Sequence, residues 1–192
     1  MENESYFKKI ECYLKPSYGL KCYLNYSLHE RTFNKKQAVK VSELFSSSLI
    51  FISKGTLRLY AVKEEEETTI LFWQKDRLLT SLLTLGEYTG KEIYAEFLED
   101  SAIIAYREIH TGNLYNIFPQ YRELINKLYQ EQISDLILHA ESLAHLTANA
   151  RFNNLMKLKP ELFNLCELKV IANYLGIHPK VLSRLRAKAV KR

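Results

Sequence analysis

A short helix predicted near the carboxyl terminus carries basic and hydroxyl side chains at a spacing suited to contact with DNA. Successive residues of an α-helix advance by about 100°, which places Lys180, Ser183, Arg184, Ala187 and Lys191 on one face. An arginine on such a face can donate two hydrogen bonds to O6 and N7 of guanine in the major groove. We therefore predict that Lys180 and Arg184 read bases, whereas Ser183 could contact either a base or a phosphate.

The flanks of the same helix offer donors for the phosphodiester backbone. Arg186 and Lys188 project to the sides, Lys191 lies near the end, and His178 precedes the first turn. Phosphate contacts fix the register of a protein on the duplex without reading its sequence. We predict that these four residues bind phosphates, so that Arg186→Ala weakens binding to all sequences alike whereas Arg184→Ala relaxes sequence preference.

Two helices joined by a tight turn must position these side chains. A capping box, Asn164 followed by Glu167, precedes the first predicted helix, and Gly176 ends it. Pro179 then begins the second helix, where its missing N–H is harmless. The predicted core stripes are Leu168, Ile171, Ala172 and Leu175 in the first helix and Leu182, Leu185 and Ala189 in the second. This pattern predicts a helix-turn-helix motif, and an ordinary helical hairpin is the alternative.

Charge is unevenly distributed along the 192 residues. Residues 151–192 contain ten Lys or Arg and two Asp or Glu and so carry +8, whereas the other 150 residues carry −3. Each cation placed on a phosphate releases condensed counterions and stabilises a complex with DNA. The distribution favours a polyanionic partner for the carboxyl-terminal segment, and a basic solvated tail is the alternative.

The first half of the chain has the pattern of a β-sandwich or roll. From about Tyr18 to Ile109, β-prone runs alternate with polar turns, and an amphipathic helix over 3–14 precedes them. The runs are 27–33, 37–41, 49–53, 56–62, 69–73 and 102–109. Gly55 between two of them predicts a tight hairpin, and the four glutamates at 64–67 predict a solvated hairpin loop.

A long helix is predicted after Gly112. Within it, apolar and small residues recur in steps of three and four, which is the a/d pattern of a coiled coil. The predicted dimer seam is Tyr129, Ile133, Leu136, Ala140, Leu143 and Thr147. A second stripe, Leu128 and Ile137, is expected to face the β-roll. The alternative is that the seam packs only against its own β-domain.

Other classes of protein are poorly supported by the sequence. Three cysteines and five histidines lack metal-ligand spacing, so we predict neither a metal nor a cofactor. No nucleophile motif or glycine-rich phosphate loop is present, which argues against an enzyme. No apolar run approaches the ~20 residues of a membrane-spanning helix. The acidic start, Met1-Glu2-Asn3-Glu4, does not have the pattern of a secretory signal, so we expect a cytoplasmic protein.

The order of these parts resembles the Crp/Fnr family (cyclic-AMP receptor protein and FNR) of bacterial regulators over essentially the whole chain. Residues 171–186, and above all Leu182-Ser183-Arg184, are similar to the DNA-reading motif of that family. The turn at Gly55 resembles the early glycine turn of its sensory domain. Arg151-Phe152 is similar to the start of its DNA-binding domain.

This resemblance implies an α+β fold in three parts. They are a cyclic-nucleotide-binding-like β-roll (jelly roll) over 1–117, a dimerisation helix over 118–147 and a helix-turn-helix domain over 148–192. The implied function is a homodimeric transcription regulator that binds an inverted-repeat operator in double-stranded DNA, with Lys180, Ser183 and Arg184 at base-contacting positions. RNA polymerase is an implied candidate partner, and the effector ligand stays unknown.

The chain also departs from the family in its candidate ligand sites. Ligand-binding members pair the cyclic phosphate with an arginine that follows a Gly-Glu pair, but here no arginine follows Gly86-Glu87 before Arg107. Because an anion buried without a cation faces a large desolvation penalty, we predict no binding of cyclic nucleotides. Cys12 and Cys22 are too few for an iron–sulfur cluster. Because the sequence ends at Arg192, we expect no strand pair that could form a wing.

The alternative function is a sensory module that acts through protein contacts and whose helix-turn-helix is vestigial.

Overall fold

Two antiparallel sheets form the amino-terminal half of the computed structural model, which describes residues 3–82 and 90–190. One sheet has the strand order β1-β8-β3-β6 and the other β2-β7-β4-β5. The strands are β1 (Leu28–Phe33), β2 (Ala38–Lys40), β3 (Leu49–Lys54), β4 (Thr56–Lys63), β5 (Glu66–Gln74), β6 (Arg77–Thr80), β7 (Glu92–Phe97) and β8 (Ser101–Tyr106). The prediction of an α+β fold with a β-roll is confirmed, although strands β6 and β7 were not predicted.

Apolar side chains fill the space between the two sheets. On β4, Leu57, Leu59 and Ala61 alternate into this core because successive side chains of a strand point to opposite faces. Phe33 of one sheet stacks on Phe97 of the other with ring centroids 4.0 Å apart. The other members of the cluster are Val41, Leu44, Phe45, Ile50, Ile52, Leu71, Trp73, Leu79, Ile93, Ala95, Ile103 and Ala105.

The turn at Gly55 connects the two sheets and is not a hairpin, so that prediction is wrong. Strand β3 pairs with β6 and β8, whereas β4 pairs with β5 and β7. Gly55 has a φ of +94°, and a Cβ added there would lie 2.0 Å from Oγ of Ser101. The flanking runs look like a hairpin in sequence, but strand pairing depends on distant partners that local alternation does not identify.

The run of four glutamates is only partly a loop. Glu64 and Glu65 form the turn between β4 and β5 with φ of 51° and 68°. Glu66 and Glu67 already belong to β5, which corrects the predicted loop over 64–67. Glu67 pairs with the buried guanidinium of Arg58 at 2.8 Å, since a buried cation needs a partner.

Several helices accompany the sheets, and most of them pack on the outer face of the β1-β8-β3-β6 sheet. They are α1 (Glu4–Glu11), α2 (Tyr18–Ser27), α3 (Val41–Leu44), a 3₁₀ turn (Glu108–His110) and α4 (Thr111–Ile117). The β-prone interpretation of residues 18–27 is wrong, because this segment is α2. Oγ of Ser17 accepts a hydrogen bond from N–H of Leu20 at its start. Leu20 and Leu24 pack with Ile10 of α1 in a second core cluster.

The long helix α5 (Pro119–His145) connects the roll to the carboxyl-terminal helices. Its first half is buried through Tyr121, Leu124, Ile125 and Leu128. After it come α6 (Ala148–Leu158), α7 (Leu162–Leu165), α8 (Leu168–Tyr174) and α9 (Pro179–Val190). None of the helices in the described ranges combines the length and apolarity needed to cross a membrane.

Candidate nucleic-acid interface

A tight turn fixes helix α9 relative to helix α8. The N–H of Ile177 donates to the carbonyl of Ala172, and the N–H of Gly176 donates to that of Asn173, both at 3.0 Å. With Gly176 at a φ of +60°, these two bonds form a Schellman motif, which satisfies the last carbonyls of α8. This left-handed conformation agrees with the prediction that Gly176 ends the first helix of the pair.

The α8–α9 pair packs around an apolar core that also includes Phe72 and Leu98 of the amino-terminal half. Ile171, Ala172, Leu175 and Leu182 are buried together with Phe152, Leu155 and Leu162.

Two local predictions for these helices are wrong. Asn164 lies within α7, and α8 begins after Glu167, which makes no side-chain cap, so there is no capping box. Ala189 is exposed, so the core-facing stripe of α9 consists of Leu182 and the partly buried Leu185.

Helix α9 presents cations on its outer face. Lys180, Ser183 and Arg184 are all exposed, as the sequence pattern requires of base-reading residues. Nε of Arg184 lies 3.4 Å from the carbonyl oxygen of Lys180, one helical turn earlier. Because α9 contains four basic residues and no acidic one, its outer face has a positive potential and is open to an anionic partner.

The predicted phosphate-binding residues differ in their surroundings. Lys188 is exposed, but Arg186 is half-buried with its guanidinium 5.7 Å from the ring centroid of Phe163. Nδ1 of His178 accepts the backbone N–H of Lys180 at 3.2 Å, so this ring caps α9 and keeps only Nε2 for another partner. Lys191 lies outside the described residues, as does the Gly86-Glu87 pair.

Comparison with solved structures identifies the fold. A protein from Eubacterium rectale described as a transcriptional regulator of the Crp/Fnr family matches with a TM-score of 0.68 and 18% identity over 92% of this chain and 85% of its own. FixK2 from Bradyrhizobium japonicum matches with a TM-score of 0.67 and 15% identity over 85% of each chain. The global regulator CLP of Xanthomonas campestris, which responds to c-di-GMP, matches with a TM-score of 0.62 and 13% identity over 91% of this chain and 92% of its own.

This chain has the fold of the Crp/Fnr regulators. No family model and no curated protein matches the sequence. The similarity therefore lies in the arrangement of the β-roll, the long helix and the carboxyl-terminal helices, at identities below 20% in these three cases.

In this Crp/Fnr fold, the carboxyl-terminal helices dock against strand β5 of the roll. Oδ1 of Asn173 accepts the backbone N–H of Thr69 at 2.6 Å, and Nδ2 of Asn173 donates to the carbonyl of Glu67 at 3.2 Å. Phe72 is buried within the core of the α8–α9 pair. These contacts orient α8, and through the turn at Gly176 they also orient α9.

A second set of docking contacts involves helix α5 and the end of helix α6. Nζ of Lys159 donates to the carbonyl of Phe72 at 2.6 Å. The ring of His139 stacks on Tyr174 of α8 with centroids 4.3 Å apart. Burial and the nearby cations Lys159 and Arg151 lower the pKa of His139, so its neutral form is favoured against Tyr174.

One face of α5 in its second half is apolar and exposed. Ile133 and Ile137 are 44% and 52% exposed, and Ala140 and Ala144 follow them at heptad spacing. The expectation that Ile137 faces the β-roll is therefore wrong. The other predicted seam residues lie in mixed surroundings: Tyr129 and Leu136 pack partly against the roll, Leu143 lies near Gly176, and Thr147 caps α6.

Sequence reasoning missed the docking residues. Asn173 and Tyr174 occur within a helix whose pattern marks only Ile171, Ala172 and Leu175 as core. The one available signal was Phe72, since β5 places apolar side chains at consecutive positions 71, 72 and 73. A strand that buries residues on both faces must be covered on its outer side as well.

Proposed function

We propose that this protein is a homodimeric transcription regulator that binds double-stranded DNA in a sequence-specific manner through helix α9. The observation that carries this proposal is the outer face of α9, where Lys180, Ser183 and Arg184 are exposed with no acidic neighbour in the helix. Its inner face is held by a Schellman turn and an apolar core. A helix supported in this way can enter a major groove as a rigid body.

The competing function, a sensory module that acts through protein contacts, is distinguished by the salt dependence of DNA binding. Sequences selected from a random duplex pool should contain an inverted repeat, because two-fold symmetry places the recognition helices about 34 Å apart, one DNA turn. Affinity for the selected duplex should fall with a slope near −0.9 per neutralised phosphate in a plot of log K against log salt. No enriched sequence, or binding indifferent to salt, would favour the competing function.

We expect Arg184→Ala to relax sequence preference more than it lowers non-specific affinity. Loss of a bidentate contact to guanine is worth about 1–3 kcal/mol of discrimination, or roughly 5-fold to 150-fold. The measurement is a competition between the selected operator and variants changed at one base pair.

Lys188→Ala is the matched phosphate variant. Lys188 is exposed, whereas Arg186 packs on Phe163 and its removal would also disturb the core. Lys188→Ala should weaken binding to all duplexes alike and reduce the salt slope by about one. If Arg184→Ala and Lys188→Ala each lower the affinity for the operator and for every single-base-pair variant by the same factor, the assignment of Arg184 to base reading is incorrect.

The proposed homodimer forms along the exposed apolar face of α5. Ile133, Ile137, Ala140 and Ala144 follow a heptad spacing, and the two alanines permit close approach of a second helix. Dimerisation through this face would remove the exposed isoleucines from water, which is favourable at about 25 cal/mol per Å² of apolar surface.

We further propose that the roll does not bind cyclic nucleotides. Apolar side chains such as Leu57, Leu59, Trp73 and Phe97 pack together in the space between its two sheets. Arg58 is a buried cation of the roll, and its guanidinium is already paired with Glu67 and Glu96. Calorimetry with cyclic AMP and cyclic GMP should therefore detect no binding at micromolar concentrations, and a saturable heat in that range would contradict the proposal.

A further inference from the structure

A cleft of about 760 Å³ lies between the roll and the carboxyl-terminal helices. Strand β5 forms one wall, the second half of α5 forms another, and residues of α6 and α8 complete it. This volume lies within the range of small-molecule sites, which is about 300–1,000 Å³. Strand β5 lies between this cleft and the interior of the roll, since Leu71 and Trp73 of that strand also belong to the interior cluster.

Some cationic side chains of this cleft are not neutralised by an anionic partner. Arg77 is balanced by ion pairs with Glu131 and Asp135. By contrast, Lys159 and Arg151 form no ion pair with any described residue and bond only backbone carbonyls. The guanidinium of Arg151 donates to the carbonyls of Leu143, Leu146 and Leu175.

The acidic groups near the cleft do not neutralise this pair of cations. Asp135 is held by Arg77, and Glu161 accepts a hydrogen bond from Gln74. Glu141 also lines the cleft and is exposed to water, where its charge is screened. Burial, with Arg77 nearby, lowers the pKa of Lys159, although Asp135 and Glu161 oppose the effect. An anion beside Lys159 would reverse this penalty.

Large apolar side chains face water in the same cleft. Leu138 and Leu158 are 63% and 73% exposed, and Leu146 is 38% exposed. These exposed leucines therefore lie in one concave site beside the ammonium of Lys159. That ammonium carries three protons and donates one of them to the carbonyl of Phe72, so it can donate to a further partner.

We propose that this cleft binds a small organic anion, with its anionic group on the ammonium of Lys159 and its apolar body against Leu138, Leu146 and Leu158. Arg151 adds to the positive potential at the site. The proposal goes beyond DNA recognition and does not depend on it. Because the walls come from the roll and from the carboxyl-terminal helices, such a ligand would stabilise their docked arrangement.

The test is a titration of the full chain with 8-anilinonaphthalene-1-sulfonate, an aromatic sulfonate, followed by energy transfer from tryptophan. Trp73 is the single tryptophan of the chain and belongs to the cleft wall. We expect saturable binding of one dye per chain. Lys159→Gln should weaken this binding by about tenfold or more, because a charge-assisted hydrogen bond is lost.

Two comparisons isolate the charge of Lys159. Lys157→Gln, an exposed lysine of α6 outside the cleft, should leave the affinity for the dye unchanged. The uncharged dye N-phenyl-1-naphthylamine should bind the Lys159→Gln variant as well as it binds the unchanged protein. Equal weakening of both dyes, or an affinity for the sulfonate that is the same in Lys159→Gln and Lys157→Gln, would overturn the proposal.

A second variant keeps the test valid if Lys159→Gln fails to fold. Leu138 is exposed, so Leu138→Glu removes little core packing while it places a carboxylate in the cleft. This variant should keep the circular dichroism spectrum of the unchanged protein and lose saturable binding of the sulfonate. Retained binding would show that the dye occupies another surface, and the cleft assignment would then be wrong.

Discussion

Ile137→Glu is expected to convert the dimer into a monomer and to weaken operator binding by about 10²-fold to 10⁴-fold. The substitution places a carboxylate on each side of the proposed two-fold axis, where the two charges repel each other and lose hydration. A monomer engages one half-site only and forfeits the effective concentration that the second half-site provides. Sedimentation velocity measures the mass, and an electrophoretic shift with the selected duplex measures the affinity.

Ile117→Glu is the matched control for this prediction. Ile117 is 58% exposed, close to the 52% of Ile137, but it lies in α4 and not on the apolar face of α5. The control should sediment as a dimer and bind the operator like the unchanged protein. If Ile137→Glu also stays dimeric, the two copies associate through a different surface.

Gly55→Ala is expected to destabilise the fold by about 3 kcal/mol or more. The residue has a φ of +94°, which an L side chain adopts at a penalty of about 1–2 kcal/mol. The new Cβ would also lie 2.0 Å from Oγ and 2.9 Å from Cα of Ser101, so strand β8 would have to move. Urea unfolding at a fixed protein concentration measures the loss, because the stability of a dimer depends on concentration.

Gly90→Ala separates backbone strain from steric conflict. Gly90 also has a positive φ, +74°, but a Cβ there meets no described atom within 4 Å. We expect a loss of about 1 kcal/mol, set by the backbone alone. Similar losses at both glycines would show that β8 accommodates the added methyl group, contrary to the expected result.

The parts of the structure that depend on local hydrogen bonds were predictable from the sequence. Gly176 ends one helix and Pro179 begins the next, because their backbone preferences act within a few residues. The exposure of Lys180 and Arg184 follows from the same helical period. Helix α2 was not predictable in this way, since Tyr18–Ser27 contains β-prone residues and its helical state depends on packing against α1.

Contacts between distant segments could not be read from spacing. Ile137 lies in a helix of 27 residues with apolar side chains on more than one face, so periodicity alone did not decide which face meets the roll. Asn173 bonds the backbone of Thr69, which is 104 positions earlier in the chain. Such a pairing is decided by the tertiary arrangement and leaves no local pattern.

The docking of Asn173 also covers part of a sheet edge. Strand β5 is the last strand of its described sheet, and the N–H of Thr69 and the carbonyl of Glu67 are groups that a further strand would engage. The side-chain amide of Asn173 satisfies both groups and blocks that position. Loss of the docked helix would leave an open sheet edge, onto which an extended segment of another molecule could add.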